Sequence, residues 1–439
     1  MQMPRHRVLL LAEAANPDMV SVPLVGWSIA RALADVANVH VVTQIRNRAA
    51  FLEAGLVEGR DFNAIDSEAV ARPMHRLSRA VSMGSGKGWT TGQAIGAISH
   101  AWFERLAWRV SGARIAAREW DVVHRVTPLS PTKSSFVAPR VAAAGVPFVL
   151  GPLNGGVPWP AGFDGERRRE REWLSYVRGV YKILPGRAGT LAASAAILVG
   201  SRHTEAEIPA RHRARTLYLP ENAVDPARFS RRADPGAGMR AGRPMRACFV
   251  GRMVPYKGPD MLLQAAAPLL RGGRMTLDLI GDGPMLAGLK AQAGTLGIAE
   301  AVTFHGWLDH RLVQDAMTGC DLMAFPSIRE FGGGVVLEAM ALGIPPLVVD
   351  YAGPGELVRP GLGYTVPLGP RQRIVADLGT ALDRLADDPD GLAATGARAR
   401  DHVAARFTWA AKARQIGRVY DWVTGRADGP PDLSLPAGS

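Results

Sequence analysis

The chain has 439 residues, 47% of them hydrophobic and 21% charged, with 49 Gly and 32 Pro, and this excludes a disordered polymer and leaves room for two or three globular domains. Lys plus Arg number 52 against 40 Asp plus Glu, a formal charge of +12 that invites nucleic acid, an acidic membrane surface or phosphorylated ligands. The two cysteines, Cys248 and Cys320, supply neither a disulfide framework nor metal-ligand spacing, so a reducing compartment is expected.

In chain order, the first element is the apolar run Val8 to Ala12, the pattern of a parallel strand buried on both faces. It is too short for a signal peptide and closes at Glu13 without a small-residue cleavage site. A helical pattern follows (Leu24, Trp27, Ile29, Ala30, Leu33), then strands at Val39 to Thr43, Val122 to His124, Phe148 to Leu150 and Ile197 to Val199. The uncharged stretch 141–163 has the length of a membrane span, but its four prolines and five glycines would break a spanning helix. Residues 231–245 are polar and unpatterned and read as an interdomain linker. The alternation then restarts: strand Ala247 to Val250, helix 259–270, strand Thr276 to Ile280, helix 285–296, strand 301–305, helix 310–318, strand Leu322 to Phe325, helix 334–342 and strand Pro346 to Val349. Repeated strand–helix–strand order predicts two doubly wound α/β domains, each binding ligands at the carboxyl ends of its strands, with the site in the cleft between them. The tail beyond Ala427 is expected to be disordered.

The most informative segment is Glu330-Phe-Gly-Gly-Gly-Val-Val-Leu-Glu338. It puts one carboxylate on a loop at a strand end and a second inside the following helix, with glycines that let a ligand approach the helix N-terminus. Two glutamates at this spacing are, taken alone, more often an exposed side chain and an early-helix one. The segment resembles the E-x7-E signature of the retaining, nucleotide-sugar-dependent glycosyltransferases of family 4, which have two Rossmann-like domains in the GT-B architecture. Further segments resemble the family in order and spacing: Leu219-Pro-Glu-Asn222-Ala-Val-Asp225 with Phe229, Val250-Gly-Arg252-Met-Val-Pro-Tyr-Lys257-Gly258, Leu279-Ile-Gly-Asp-Gly-Pro284, Phe304-His-Gly306, Asp321 to Ser327, and Phe407-Thr-Trp409 with the helix to Val423.

The resemblance implies an acceptor-binding domain over 1–230, a linker over 231–245, a nucleotide-sugar domain over 246–405, a helix at 406–426 crossing back to the first domain, and a disordered tail at 427–439. It implies that Arg252 and Lys257 hold the donor diphosphate, that Glu338 accepts from the ribose hydroxyls, and that Glu330 contacts the transferred sugar. The backbone of Phe331, Gly332, Gly333 and Gly334 would approach sugar and phosphate, with Gly251, Asp282 and Gly283 on the nucleotide side. The family has Gly, then Phe-Gly, after the first glutamate, whereas here Phe-Gly-Gly-Gly follows Glu330. In the first domain Gly26 stands where relatives carry paired glycines. Asp121-Val-Val-His124-Arg-Val126 resembles the family's strand end, with Val126 in place of its second histidine; His124 is the catalytic candidate there, with a packed structural histidine as the alternative. Asn154 and Gly155, on the loop Gly151-Pro-Leu-Asn-Gly-Gly156, are acceptor or cleft candidates, a structural turn being the other reading.

The implied activity is sugar transfer from a nucleotide diphosphate sugar (UDP or GDP undetermined) to a carbohydrate or lipid-linked acceptor, with no cofactor and no metal. The setting would be cell-surface polysaccharide or glycolipid assembly in the cytoplasm, peripheral to the inner membrane face. A sugar-nucleotide epimerase, a phosphorylase and a non-catalytic sugar-nucleotide or polyanion binder remain the alternatives. The segment 82–88 lacks P-loop spacing and reads as a mobile surface loop. No G-x-G-x-x-G opens a helix after the first strand, no recognition helix or aromatic platform points to nucleic acid, and Asp388-Pro-Asp390 is a poor metal site. The basic stretch Arg167 to Arg171, with aromatics from Trp173 onward, would suit an anionic membrane, a packed domain helix being the other reading.

Overall fold

The computed structural model describes residues 4–74, 88–165 and 186–434. The segment 82–87, the whole basic–aromatic stretch 166–185 and the last five residues lie outside the described residues. The chain forms two units: Met1–Gly156, Arg171–Glu221 and Trp409–Ser439 make the first, Val157–Glu170 and Asn222–Thr408 the second.

The first unit is built on a parallel sheet of seven strands: β1 (Arg7–Ala12), β2 (Asn38–Gln44), β3 (Phe62–Ile65), β4 (Val122–Thr127), β5 (Phe148–Leu153), β6 (Ser194–Val199) and β7 (Thr216–Tyr218). Their order is β3-β2-β1-β4-β5-β6-β7. Side chains alternate between the faces: Val8, Leu10 and Ala12 enter one core, Leu9 and Leu11 the other. Helices cover both faces, which is why β1 is a continuous apolar run rather than an alternating one. The helix Trp409–Val423 belongs to this unit and buries Ile416, Val419 and Tyr420 in the first of these cores.

The second unit carries six parallel strands: β8 (Met245–Val250), β9 (Met275–Ile280), β10 (Val302–Gly306), β11 (Leu322–Phe325), β12 (Pro346–Asp350) and β13 (Tyr364–Pro367). The order is β10-β9-β8-β11-β12-β13, so the winding reverses between β8 and β11.

Three expectations about the boundaries are corrected. Residues 231–245 are not a linker: they contain the short helix Ala237–Arg240 and are tied into the second unit through Asp321. That carboxylate, 1% exposed, accepts from Gly236 N at 2.8 Å, Arg246 N at 2.8 Å and Arg243 Nη2 at 2.9 Å. The chain passes from the first unit to the second after Glu221 instead, and the segment from Val157, read as part of the first domain, joins the second unit, whose core takes in Phe163. The tail is ordered as far as Ser434, because Leu433 is buried and Gln415 and Arg418 donate to the carbonyls of Leu433 and Asp432. No helix among the described residues is long and apolar enough to cross a membrane.

Candidate functional site

In the second unit the strand-end loops are held together through backbone. β8 runs into Gly251, whose N–H donates to Ile280 O at 2.9 Å, and Met253 N donates to Asp282 O at 2.9 Å. The loop after β9 thus lies flat against the loop after β8, and there is no room between them. A Cβ on Gly281 would stand 2.1 Å from Gly251 O, and one on Gly283 would stand 2.5 Å from Met253 O. The glycines of Gly281-Asp-Gly283 are required by this contact. Asp282 is exposed, and one of its carboxylate oxygens accepts from the Gly283 N–H at 2.6 Å.

After β8 the chain makes one turn over Pro255–Lys257, passes Gly258 in the left-handed region (φ 69°), and enters the helix Pro259–Arg271. Tyr256 O accepts from Ser327 Oγ at 3.2 Å and from Ile328 N at 2.9 Å, which pins the loop after β11 beside that turn. This brings Lys257 Nζ to 2.7 Å from Glu330 Oε2, both side chains mostly buried, with the ammonium 5.2 Å from the Phe325 ring centroid. Arg252 lies exposed on the same loop as Lys257.

Beyond Glu330 the chain turns through Phe331 and Gly332 to Gly333 (φ 59°), which caps the helix Gly334–Leu342. That first turn holds no acidic residue and no side chain caps it, so its amides and the positive end of the helix dipole are left for an anion. Glu338 sits half-buried in the second turn. The turn is braced from behind, since Gly353 N donates to Glu330 O at 3.2 Å and a Cβ on Gly353 would stand 2.3 Å from Phe331 O. Arg252, Lys257, Gly251, Glu330 and the Phe331 to Gly334 turn therefore gather at the carboxyl ends of β8 and β11. That is the point where the strand order reverses, and where open parallel sheets take their ligands.

Sequence reading missed Arg329. Although adjacent to Glu330, it is 5% exposed, donates from Nε to Val157 O at 3.3 Å, and lies between the Trp159 and Phe331 rings, 5.0 and 5.5 Å from their centroids. Tyr351 OH donates to Pro158 O at 3.0 Å alongside it. A buried arginine next to the first glutamate was the only local signal, and its partners are distant in sequence.

The remaining candidates belong to the first unit. His124 is a correction: it is fully buried, with Nδ1 2.7 Å from Tyr420 OH and Nε2 2.7 Å from Gly151 O. Burial pushes its pKa down to about 4, and a neutral ring with both nitrogens engaged packs the sheet rather than touching substrate. Gly26 is also a packing residue, since a Cβ there would stand 2.1 Å from Ala14 O, where the helix Val22–Leu33 crosses the loop after β1. Asn154, 8% exposed, donates from Nδ2 to Glu221 Oε1 at 2.7 Å, and its own N–H donates to Leu129 O at 2.8 Å. Gly155 follows with φ 147°, and a Cβ there would meet Pro131 Cδ at an ordinary 3.4 Å. Among the described residues no cluster of His, Cys, Asp and Glu could hold a metal ion.

Comparison with known proteins gives these residues a context. Residues 232–402 match the family model described as glycosyl transferases group 1. A D-inositol 3-phosphate glycosyltransferase of Nocardia farcinica is 42% identical over 193 residues, covering 42% of this chain and 41% of that protein. An alpha-D-kanosaminyltransferase of Streptomyces kanamyceticus is 31% identical over 222 residues, 49% of this chain and 56% of that one. The chain thus spans about half the length of these relatives or less. Among solved structures, Anabaena HepE in complex with UDP aligns with a TM-score of 0.59 at 16% identity, covering 94% of this chain and 99% of that one. Sucrose-phosphate synthase from Thermosynechococcus elongatus aligns with a TM-score of 0.60 at 16% identity, covering 96% and 100%. The whole chain has the GT-B fold, two Rossmann-like domains, and residues 232–402 of its second unit match the group 1 glycosyl transferases.

Proposed function

We propose that the protein is a retaining glycosyltransferase that moves a sugar from a nucleotide diphosphate sugar to an acceptor hydroxyl. The observation that carries this reading is the Lys257–Glu330 ion pair set beside the uncapped N-terminus of the helix Gly334–Leu342, at the reversal of the second sheet. A donor has two unlike ends at its reacting centre, an anionic diphosphate and a hydroxylated sugar. Lys257 and Arg252 supply cations for the first, which becomes more anionic as the glycosidic bond breaks, and Glu330 supplies an acceptor for the hydroxyls of the second. The amides of Phe331, Gly332, Gly333 and Gly334 extend the anion site, Glu338 accepts from the ribose, and Gly251, Asp282 and Gly283 border the nucleotide.

On this reading transfer is metal-independent and needs no cofactor and no protein nucleophile: the departing diphosphate takes the acceptor proton on the face from which it leaves. The relatives are named as a D-inositol 3-phosphate glycosyltransferase and an alpha-D-kanosaminyltransferase, which supports the reaction class and leaves donor and acceptor to be identified. The proposed setting is polysaccharide or glycolipid assembly at the inner face of the cytoplasmic membrane, supported by the family resemblance and the +12 charge.

Thermal melting with UDP- and GDP-sugars tests the reading. A true donor raises the melting temperature of the wild type and raises that of Glu338→Ala far less. If no nucleotide sugar and no nucleoside diphosphate shifts the wild-type melt, the transferase reading is wrong.

A further inference from the structure

The loop that carries Glu330 is held by a segment that none of the donor-site motifs includes. Residues 157–163 follow directly on Gly156 of the first unit, yet they belong to the second and bury Val157 and Phe163 there. This strap forms no helix or strand, so its backbone polar groups need partners from elsewhere. Pro158 and Pro160 have no N–H to satisfy. Two of the carbonyls are taken by side chains: Arg329 Nε donates to Val157 O at 3.3 Å, and Tyr351 OH donates to Pro158 O at 3.0 Å.

The contacts of the strap fall one or two residues from groups of the candidate site. Trp159 meets the Tyr256 ring edge to face, with centroids 6.2 Å apart, and Lys257 is next in the chain. The same indole faces the Arg329 guanidinium at 5.0 Å, and Glu330 is next in the chain. Tyr351 stands two residues before Gly353, whose N–H donates to Glu330 O at 3.2 Å.

Arg329 is the centre of this arrangement. Its guanidinium lies between the Trp159 and Phe331 rings, so the side chains on both sides of Glu330 are committed to one stack. Its own N–H donates to Ser327 Oγ at 3.4 Å, the hydroxyl that reaches Tyr256 O at 3.2 Å. Phe331 stands where the family pattern has glycine, so the stack uses a residue by which this chain departs from that pattern. A planar guanidinium can stack on rings and donate in its own plane at once, which an ammonium cannot.

We infer that the strap clamps the donor loop and that Arg329 is a positioning residue. Stacked between Trp159 and Phe331 and bonded to Val157 O, it fixes Glu330 and, through Tyr256, Lys257 in the placement that their 2.7 Å pairing requires. Glu330 is thereby set for the sugar hydroxyls. The diphosphate depends less on the clamp, because the turn at Gly333 is also braced by Gly353. The word donor rests on the transferase reading; the clamp rests on these contacts alone.

Two measurements on the full chain test it. Amide hydrogen exchange of the ligand-free protein reads the clamp itself. Arg329→Met speeds exchange at least about tenfold over 256–258 and 328–333, the size of a lost buried cation–π contact and hydrogen bond, and leaves β9 unchanged. Titration with UDP, GDP, UDP-glucose and GDP-mannose reads the consequence at the site. For a nucleotide that binds wild type, Arg329→Met weakens the sugar conjugate at least about fivefold more than the bare diphosphate, whereas general destabilisation weakens both alike. Trp159→Ala repeats both effects, Arg329→Lys behaves as Arg329→Met, and Trp159→Phe stays within about twofold of wild type because a ring remains to stack. If no probe binds wild type, the donor reading fails and exchange alone decides the clamp. Unchanged exchange over 328–333, or equal weakening of conjugate and diphosphate, would overturn the proposal.

Discussion

The two units present their strand-end loops in opposite ways. In the second, the loops after β8 and β9 meet backbone to backbone through Gly251, Gly281 and Gly283, and the charged side chains are few and sit on single turns. In the first, the ends of β1, β2 and β4 stand apart around a cavity, and charged side chains drawn from positions 13, 100, 104, 125 and 133 fill the space behind it. A backbone cradle tolerates little change, because every member must remain glycine or keep its register, so it suits a ligand part common to many enzymes, such as a diphosphate. A side-chain cavity can be retuned one residue at a time, which suits an acceptor that differs from enzyme to enzyme.

The sharpest way to break this contrast is to remove the one strong charge pair of the cradle. Lys257→Ala is expected to lower kcat/KM for transfer by about a hundredfold to a thousandfold, the usual effect of losing a group that stabilises developing negative charge. A loss below about tenfold would mean that backbone amides alone carry the diphosphate. The glycines offer a stability test of the same idea. Gly281 (φ 134°) and Gly155 (φ 147°) both occupy backbone that disfavours side chains, but a Cβ on the first meets Gly251 O at 2.1 Å, whereas on the second its nearest neighbour is Pro131 Cδ at 3.4 Å. Gly281→Ala should therefore cost about 3 kcal/mol or more of unfolding free energy, and Gly155→Ala about 1 to 2 kcal/mol, read by urea denaturation. Equal costs would show that the close approach of the two loops is not rigid.

The same contrast explains what could be read in the residues beforehand. The runs Val8 to Ala12 and Ala247 to Val250 announce buried parallel strands because both faces of each sheet are covered, and each strand is visible in a few consecutive residues. The turns around Lys257, Asp282 and Glu330 were legible for a related reason: each is a short local motif at a strand end. The boundary was not, because Asp321 captures Gly236, Arg243 and Arg246 from across the sheet and turns an unpatterned stretch into part of the second unit. The cavity cluster was equally hidden. Its five charged residues lie on β4, a helix and two loops, and nothing in the neighbourhood of any one of them indicates the others.

His124 shows how a strand-end motif and a long-range partner can point in different directions, and it carries the smallest predicted effect. Its place in a segment that resembles the family's strand end suggests chemistry, but it lies inside β4, and Tyr420, 296 residues later, closes on its Nδ1 and makes it part of the core. Because its pKa falls from 6.5 to about 4 on burial, the folded state stays neutral over a range where the unfolded chain takes up a proton. Acidification through that range therefore favours unfolding, by about 1.4 kcal/mol per pH unit, or about 2 kcal/mol by pH 5. His402 shifts in the same direction, so total stability alone cannot isolate the contribution. Comparing wild type with His124→Gln at pH 7 and pH 5 does: the variant is destabilised at both, but its loss between them is smaller by about 2 kcal/mol. An identical loss in both proteins would mean that His124 takes up its proton within the fold as readily as in the unfolded chain, and would return it to the list of groups able to move a proton.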